Sequence, residues 1–378
     1  MSIVVVGSGL AGWTVIRELR KLNKDALVTL VSADTGDFYS KPMLSNALAQ
    51  NKTPAELVTT PAARMAEQLG VTLLAKTRVL SIDRERKTLL TSAGEHAYSA
   101  LVLALGADPI RLPLGGDAAD EVLSVNDLDD YAHFRDAIVG KQRIAIIGAG
   151  LIGCEFANDL AGAGYAINVY DPTAYPLSSL MPEAAGRSLI APLAALGVDW
   201  NFGRSVSAVD HQGSAYRLTL DNGDTHEADL VLSAVGLRPR IQLAKDATLE
   251  VNRGIVTDAH LRTSDPAIYA LGDCAETGGA VRPYVLPIMH SARALARTLA
   301  SDPTAVAFPA MPVVVKTPAR PTAVSLAPRD ATGTWEIVES DTGIKATFSD
   351  ASGRLLGFAL TGNHADERMA LAKLLLVT

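Results

Sequence analysis

One pattern occurs twice in this chain, and it constrains the fold more than anything else in the sequence. Ile3 to Val6 is a β-branched apolar run, as expected of a strand buried on both faces of a parallel sheet. It leads into Gly7-Ser8-Gly9-Leu10-Ala11-Gly12, then a helix-like stretch from about Trp13 to Leu22, then a second strand from Ala26 to Val31. The order returns with the strand Arg143 to Ile147, the turn Gly148-Ala149-Gly150-Leu151-Ile152-Gly153, a helix through about Ala163 and a strand from Ala166 to Tyr170. Each copy reads as a βαβ unit with a glycine turn where the strand hands over to the helix.

The glycines have separable jobs. Gly7 and Gly148 permit a tight turn, Gly9 and Gly150 let the backbone approach a pyrophosphate, and Gly12 and Gly153 let the helix pack close to its strand. Leu10, Ala11, Leu151 and Ile152 fill the turns, where the helix N-terminus offers free N–H groups and a favourable dipole to phosphate. Two such units imply two nucleotide sites. The expected fold class is therefore α/β: two Rossmann-like dinucleotide-binding domains plus a small α+β C-terminal domain. An acidic residue is expected about 20 positions beyond each turn, to hold a ribose hydroxyl. In the second unit it is Asp171, which favours NADH over NADPH because a carboxylate repels a 2′-phosphate; the next arginine in sequence is Arg187. In the first unit it is Asp34, which sits slightly late; its alternative reading is a solvated loop residue.

A chain of 378 residues has room for two or three domains. Its net charge of −7 disfavours general nucleic-acid or membrane-surface binding. Two distant cysteines, Cys154 and Cys274, form no CxxC pair, which argues against a disulfide framework or a multi-cysteine metal site. The first strand begins at once, leaving no room for a signal peptide, and no apolar run is long enough to cross a membrane. A cytoplasmic location is expected. Two further strands end in glycine, Leu101 to Gly106 and Leu230 to Gly236, and read as closing strands where the chain crosses between domains. From Met311 onward, segments around Trp335–Val338 and Lys345–Phe348 suggest the small third domain. Its last apolar stretch, Met369 to Leu376, reads as a docked core helix.

The most specific segment runs from Thr263 to Asp273, a strand ending in Gly272-Asp273. With Tyr39-Ser40-Lys41-Pro42-Met43-Leu44-Ser45, Gly148 to Asp159, Ser233 to Arg240, Ala270 to Glu276 and Val315 to Ala319, it resembles the two-dinucleotide flavoproteins of the glutathione-reductase-like fold. Within that group the chain is most similar to the rubredoxin–NAD reductases of bacterial alkane-oxidation systems. The resemblance covers nearly the whole chain. It implies FAD-binding segments at 1–108 and 236–310, an NADH-binding domain at 109–235, and a C-terminal α+β domain at 311–378. It implies that Gly7, Gly9, Gly12, Gly106, Gly272 and Asp273 serve FAD, and that Lys41, aimed by Pro42, lies beside it. Gly148, Gly150, Gly153, Asp171 and Gly236 would serve the NADH side.

Pro287 and Ile288 begin a helix-like run to Leu299 that would turn its positive end toward the flavin. Lys316 reads as a flavin-edge cation or an ordinary surface lysine. Glu155 reads as a residue near the nicotinamide or a favourable charge in the first helical turn. Cys154 reads as a small core residue. No side chain is needed as acid or base, since the chemistry belongs to FAD and NADH. The implied partner is rubredoxin, attracted by basic residues such as Lys316 and Arg320. Alternatives are ferredoxin as partner, another small acceptor, or a non-catalytic redox sensor. The first unit has no cysteine after its second strand, which disfavours the thiol-using relatives.

Overall fold

The computed structural model describes residues 2–328 and 330–375. The elements that place the glycine turns are β1 (Ser2–Val6), α1 (Leu10–Leu22), β2 (Leu27–Val31), β3 (Thr72–Leu74), β4 (Ala100–Leu103), β5 (Arg143–Ile147), α2 (Leu151–Gly162), β6 (Ala166–Asp171), β7 (Val198–Phe202), β8 (Leu230–Ser233), β9 (Ile268–Ala270) and α3 (Val285–Leu299). The C-terminal strands are β10 (Val313–Val315), β11 (Thr322–Ser325), β12 (Thr334–Ser340), β13 (Gly343–Ser349) and β14 (Leu355–Thr361).

The chain forms two compact units. The first runs to Ser40 and resumes at Ala55–Asp108 and Leu237–Phe308; the second comprises Lys41–Pro54, Pro109–Gly236 and the chain from Pro309. The first unit is built on a parallel sheet of order β9-β4-β1-β2-β3. Ile3–Val6 of β1 and every residue of β4 and β9 are buried, because both faces of the sheet are covered there. Ile3 and Val5 join the core under α1 and α3, whereas Val4 and Val6 join the core of the opposite face. Trp13 of α1 is fully buried and donates from Nε1 to the Gly36 carbonyl at 2.8 Å.

The second unit repeats the plan with a parallel sheet of order β7-β6-β5-β8. Each unit also inserts a three-stranded antiparallel meander before its closing strand, at Val79–Ala97 in the first and Val206–Ala228 in the second. The second unit further contains an antiparallel sheet of order β10-β11-β14-β13-β12.

Two expectations need correction. The C-terminal stretch is not a docked core helix: the helix is only Arg368–Ala372, none of its residues is buried, and Met369 and Leu374 are 59% and 64% exposed. Five residues make little more than one turn, too short to present an apolar face of several residues to a core. Leu376 lies outside the described residues. The helix expected from Pro287 begins two residues earlier, at Val285, since proline is tolerated in a first turn.

The packing glycines have the sharpest geometric requirement. A Cβ on Gly12 would sit 1.8 Å from the Gly7 carbonyl oxygen, and one on Gly153 would sit 1.9 Å from that of Gly148. These neighbours are backbone and cannot give way. Gly12→Ala and Gly153→Ala should each lower stability by about 1–3 kcal/mol, as overpacking does. Urea denaturation of each variant checks this; an unchanged midpoint would contradict the packing argument.

Candidate functional site

In the first unit, the turn after β1 is anchored by the Gly7 N–H donating to the Val31 carbonyl at 2.9 Å. A positive φ of 105° at Gly7 and a hypothetical Cβ 2.2 Å from the Ala104 oxygen exclude any side chain there. Gly9 differs. Its φ of −65° suits any residue, and nothing lies within 4 Å of a hypothetical Cβ. No feature of the fold requires glycine at this point, and the space above it stays open at the N-terminus of α1. Asp34 turns back toward the same turn: its Oδ1 accepts from Ser8 Oγ at 3.1 Å, Ser32 Oγ at 2.5 Å and the Gly36 N–H at 2.8 Å. Gly272 comes from the far end of the unit, and a Cβ on it would lie 3.0 Å from that of Ala11. Gly272, Pro287 and Ile288 line one small cavity. The fold thus gathers Gly7, Gly9, Leu10, Ala11, Gly12, Asp34, Gly272 and neighbouring Asp273 with the first turn of α3. Gly106, at φ 73°, follows closing strand β4.

The second unit repeats the geometry of the glycine turn, with its carboxylate differently placed. Gly148 donates to the Tyr170 carbonyl at 2.8 Å, and Gly150 has φ −74° with nothing within 4 Å of a hypothetical Cβ. Asp171 ends β6; its Oδ2 accepts from the Ala149 N–H at 2.6 Å, and its Oδ1 accepts from the N–H and Oγ of Thr173. Gly236 has φ 109° just beyond β8. Leu151 and Ile152 open α2, with Ile152 exposed. One basic residue was invisible in sequence: the Arg204 N–H donates to the Asp171 carbonyl at 3.2 Å, so an arginine does stand beside this position in space.

Helix α2 also carries three polar side chains turned inward. Glu155 is fully buried and lies in the second turn, so it is not a first-turn dipole charge. Its carboxylate accepts from Ser45 Oγ at 2.6 Å and the Lys316 N–H at 2.9 Å, and it is ion-paired with the Lys316 ammonium. Asn158 Oδ1 accepts from the Ala319 N–H at 3.1 Å. Asp159 accepts from the N–H groups of Leu48 and Ala49, at 2.9 and 3.1 Å, while burial pushes its carboxyl pKa up. These bonds fasten two separate segments to α2. One is the 3₁₀ helix Lys41–Asn46, which begins with Lys41 and Pro42; the other is the loop after β10. Buried carboxylates persist only with such partners. Sequence reasoning missed Ser45, Asn158 and Asp159, since their partners are 110 or more residues away along the chain or are backbone groups.

Residues 1–296 match the family described as pyridine nucleotide-disulphide oxidoreductase, and residues 305–375 match one described as the rubredoxin-binding C-terminal domain. A rubredoxin–NAD(+) reductase of Alcanivorax borkumensis is 48% identical over 372 residues, 98% of this chain and 97% of that protein. One from Acinetobacter baylyi is 44% identical, again over 98% of this chain and 97% of that protein. The chain belongs to the pyridine nucleotide-disulphide oxidoreductase family, among its rubredoxin–NAD(+) reductases. The crystal structure of a ferredoxin reductase from Rhodopseudomonas palustris superposes with a TM-score of 0.89 at 26% identity, covering 97% of this chain and 92% of that one. Members of this reductase group are NADH-dependent flavoproteins that use FAD.

Disulphide chemistry in this family needs reactive thiols, and neither cysteine here is suited to it. Cys154 and Cys274 are both fully buried. Burial pushes the Cys154 thiol well above its usual range and that of Cys274 up to about 11. Thiolate, the reactive form, is therefore suppressed at both. Among the described residues no cluster of histidine, cysteine or carboxylate could hold a metal, and no helix is long and apolar enough to cross a membrane.

Two measurements check this description. A colorimetric thiol reagent at pH 8 should find no reactive cysteine in the native enzyme and two after unfolding in guanidinium; a fast native thiol would contradict the burial. Lys316→Met should destabilise the protein by on the order of 3 kcal/mol by stranding Glu155, and adding Glu155→Gln should recover most of the loss. Equal instability of the single and double variants in urea would show that the pair is not the cause.

Proposed function

We propose that this chain carries electrons from NADH through FAD to a rubredoxin, with FAD on the first unit and NADH on the second. The observation that carries the reading is the open space above Gly9 and Gly150. Both are glycines that the fold does not need, each at the N-terminus of a helix, and both suit a pyrophosphate brought against the backbone. In the first unit, Gly7, Gly9 and Gly12 shape the phosphate cradle, Asp34, slightly late in its motif, is the candidate for the ribose hydroxyl, and Gly272 and Asp273 come from the segment shared with flavoproteins. In the second, Gly148, Gly150, Gly153 and Asp171 make the NADH counterpart.

When bound, FAD accepts a hydride from NADH and releases the electrons singly to a one-electron carrier. The residues of this chain contribute position and charge. Their helix N-termini face phosphate, Asp171 accepts from a 2′-hydroxyl and repels a 2′-phosphate, and no side chain has to shuttle a proton. Positioning of this kind supplies a large part of a barrier reduction. Glu155, Asn158 and Asp159 hold the Lys41 segment in register with the NADH-binding helix.

The C-terminal match and the named relatives support rubredoxin as the partner. The enzyme would serve alkane oxidation, as the resemblance implies, and work in the cytoplasm, where two distant free cysteines suit a reducing medium. Lys316 is less suited to attract an acidic carrier than its sequence suggests, because its charge is spent on Glu155. Arg320 has no ion-pair partner among the described residues and is the better candidate.

Stopped-flow mixing of NADH-reduced enzyme with oxidised rubredoxin, and separately with oxidised ferredoxin, tests the partner. Fast oxidation by rubredoxin alone is expected; fast oxidation by ferredoxin alone would overturn the rubredoxin assignment. Asp171→Ala should narrow the preference for NADH over NADPH in kcat/KM. An unchanged ratio would remove Asp171 from the ribose site, and a gain in NADPH use lost again in Asp171→Ala/Arg204→Ala would bring Arg204 into it.

A further inference from the structure

Strand register aligns the two glycine turns residue by residue. Val6 pairs with Val31 and Ile147 with Tyr170, and the glycine after each first strand donates to the carbonyl of that partner. Ser32 therefore occupies the place of Asp171, and Asp34 the place of Thr173. The two units carry the same couple, a hydroxyl and a carboxylate two residues apart, in opposite order. In the second unit Thr173 Oγ donates to Asp171 Oδ1 at 2.6 Å; in the first, Ser32 Oγ donates to Asp34 Oδ1 at 2.5 Å. The N–H two residues beyond each carboxylate donates to the same oxygen, from Thr173 and from Gly36, at 2.8 Å in both. The first unit adds Ser8 behind the couple. Its hydroxyl lies 2.6 Å from Ser32 Oγ and 3.1 Å from Asp34 Oδ1, and both serines are buried. A buried hydroxyl is costly without a partner, and these two find theirs in each other and in the carboxylate. All the bonds to the Asp34 carboxylate fall on Oδ1. Asp34 is exposed, and among the described residues nothing is bonded to its Oδ2, whereas Asp171 Oδ2 accepts from the Ala149 N–H at 2.6 Å.

We propose that Ser32, backed by Ser8, is a positioning residue for the adenosine ribose of FAD: it fixes Asp34 Oδ1 so that Oδ2 is presented to a ribose hydroxyl. The inference rests on the FAD reading of the first unit and deepens it. It accounts for the late position of Asp34 in its motif. In the first unit the place at the strand end holds a hydroxyl, and the charge stands two residues further on, held by a buried pair of serines. A carboxylate fixed by three donors keeps one orientation. The ribose hydroxyl then meets it without a further loss of side-chain freedom, which is what preorganisation contributes to affinity. Sequence reasoning passed over Ser8 and Ser32, because the motif asks for an acidic residue near the strand end and ignores a hydroxyl standing in its place.

The test compares FAD with its analogue lacking both hydroxyls of the adenosine ribose. Dissociation constants come from the recovery of flavin fluorescence on dilution of enzyme loaded with either ligand. The proteins are wild type, Ser32→Ala, Asp34→Ala and the transposed Ser32→Asp/Asp34→Ser, which has the order of the second unit. A hydrogen bond to a charged group is strong enough that wild type should prefer FAD by roughly tenfold or more. The expected result is a preference cut several-fold in Ser32→Ala, abolished in Asp34→Ala and largely restored in the transposed variant. Ser32→Cys, close in size but a weak donor, should behave as Ser32→Ala does and replaces it if the alanine variant does not fold. Equal weakening of both ligands in Ser32→Ala, with the preference intact, overturns the proposal, since Ser32 would then serve the fold alone. So does a wild-type protein that binds both ligands alike, a full preference in Asp34→Ala, or a transposed variant with no preference or no flavin. Wild-type protein that takes up no FAD at all overturns the underlying reading instead.

Discussion

Everything at the two turns depends on one close approach, that of a helix backbone to a strand backbone through paired glycines. Gly12 lies against the Gly7 carbonyl, and Gly153 against that of Gly148, at separations that admit no Cβ. This contact sets how near each helix N-terminus comes to the carboxyl end of its strand. That in turn sets where the free N–H groups point and how much room is left above Gly9 and Gly150. The parallel sheets supply rigid backing, since their central strands are buried on both faces and cannot slide without exposing an apolar set. The acidic residues Asp34 and Asp171 then close each turn from the side, each reaching the residue that follows the first glycine, Ser8 and Ala149.

The second constraint is electrostatic. A buried Glu155 would be intolerable alone, and the fold satisfies it with Ser45, the Lys316 backbone and the Lys316 ammonium. With Asn158 and Asp159 one turn further on, the helix that presents the second glycine turn also organises two distant segments of its own unit. The same residues therefore link packing to function: they place the Lys41–Asn46 segment and the loop of the C-terminal portion against the helix that would bind NADH. Buried polar groups of this kind contribute register more than net stability.

Much of this was legible in the sequence, for physical reasons. The glycine motifs, the β-branched strands and Asp171 obey local rules, so the strands at Ile3–Val6 and Arg143–Ile147 and the helices that follow appear where the pattern puts them. What was not legible is what depends on distant partners. Lys316 reads as a flavin-edge cation or a surface lysine, with no sign of the Glu155 that the fold brings beneath it, and Arg204 reads as remote until β7 pairs with β6 and brings it beside Asp171. The grouping of Lys41–Pro54 with the second unit runs against its place in the chain. The apolar tail from Met369 misled because hydrophobic spacing alone cannot say whether a partner surface exists.

On this reading the two open glycine positions, Gly9 and Gly150, serve two different dinucleotides. The most direct measurement is the bound FAD per chain and the NADH dissociation constant, by absorbance and fluorescence, in Gly9→Ala and Gly150→Ala. Both positions have ordinary backbone angles and open space around them, so both variants should fold normally. Gly9→Ala should lose FAD, while Gly150→Ala should keep its FAD and bind NADH more weakly. If both variants kept FAD and NADH binding intact, or if the two losses were exchanged, the assignment of the two turns would be wrong.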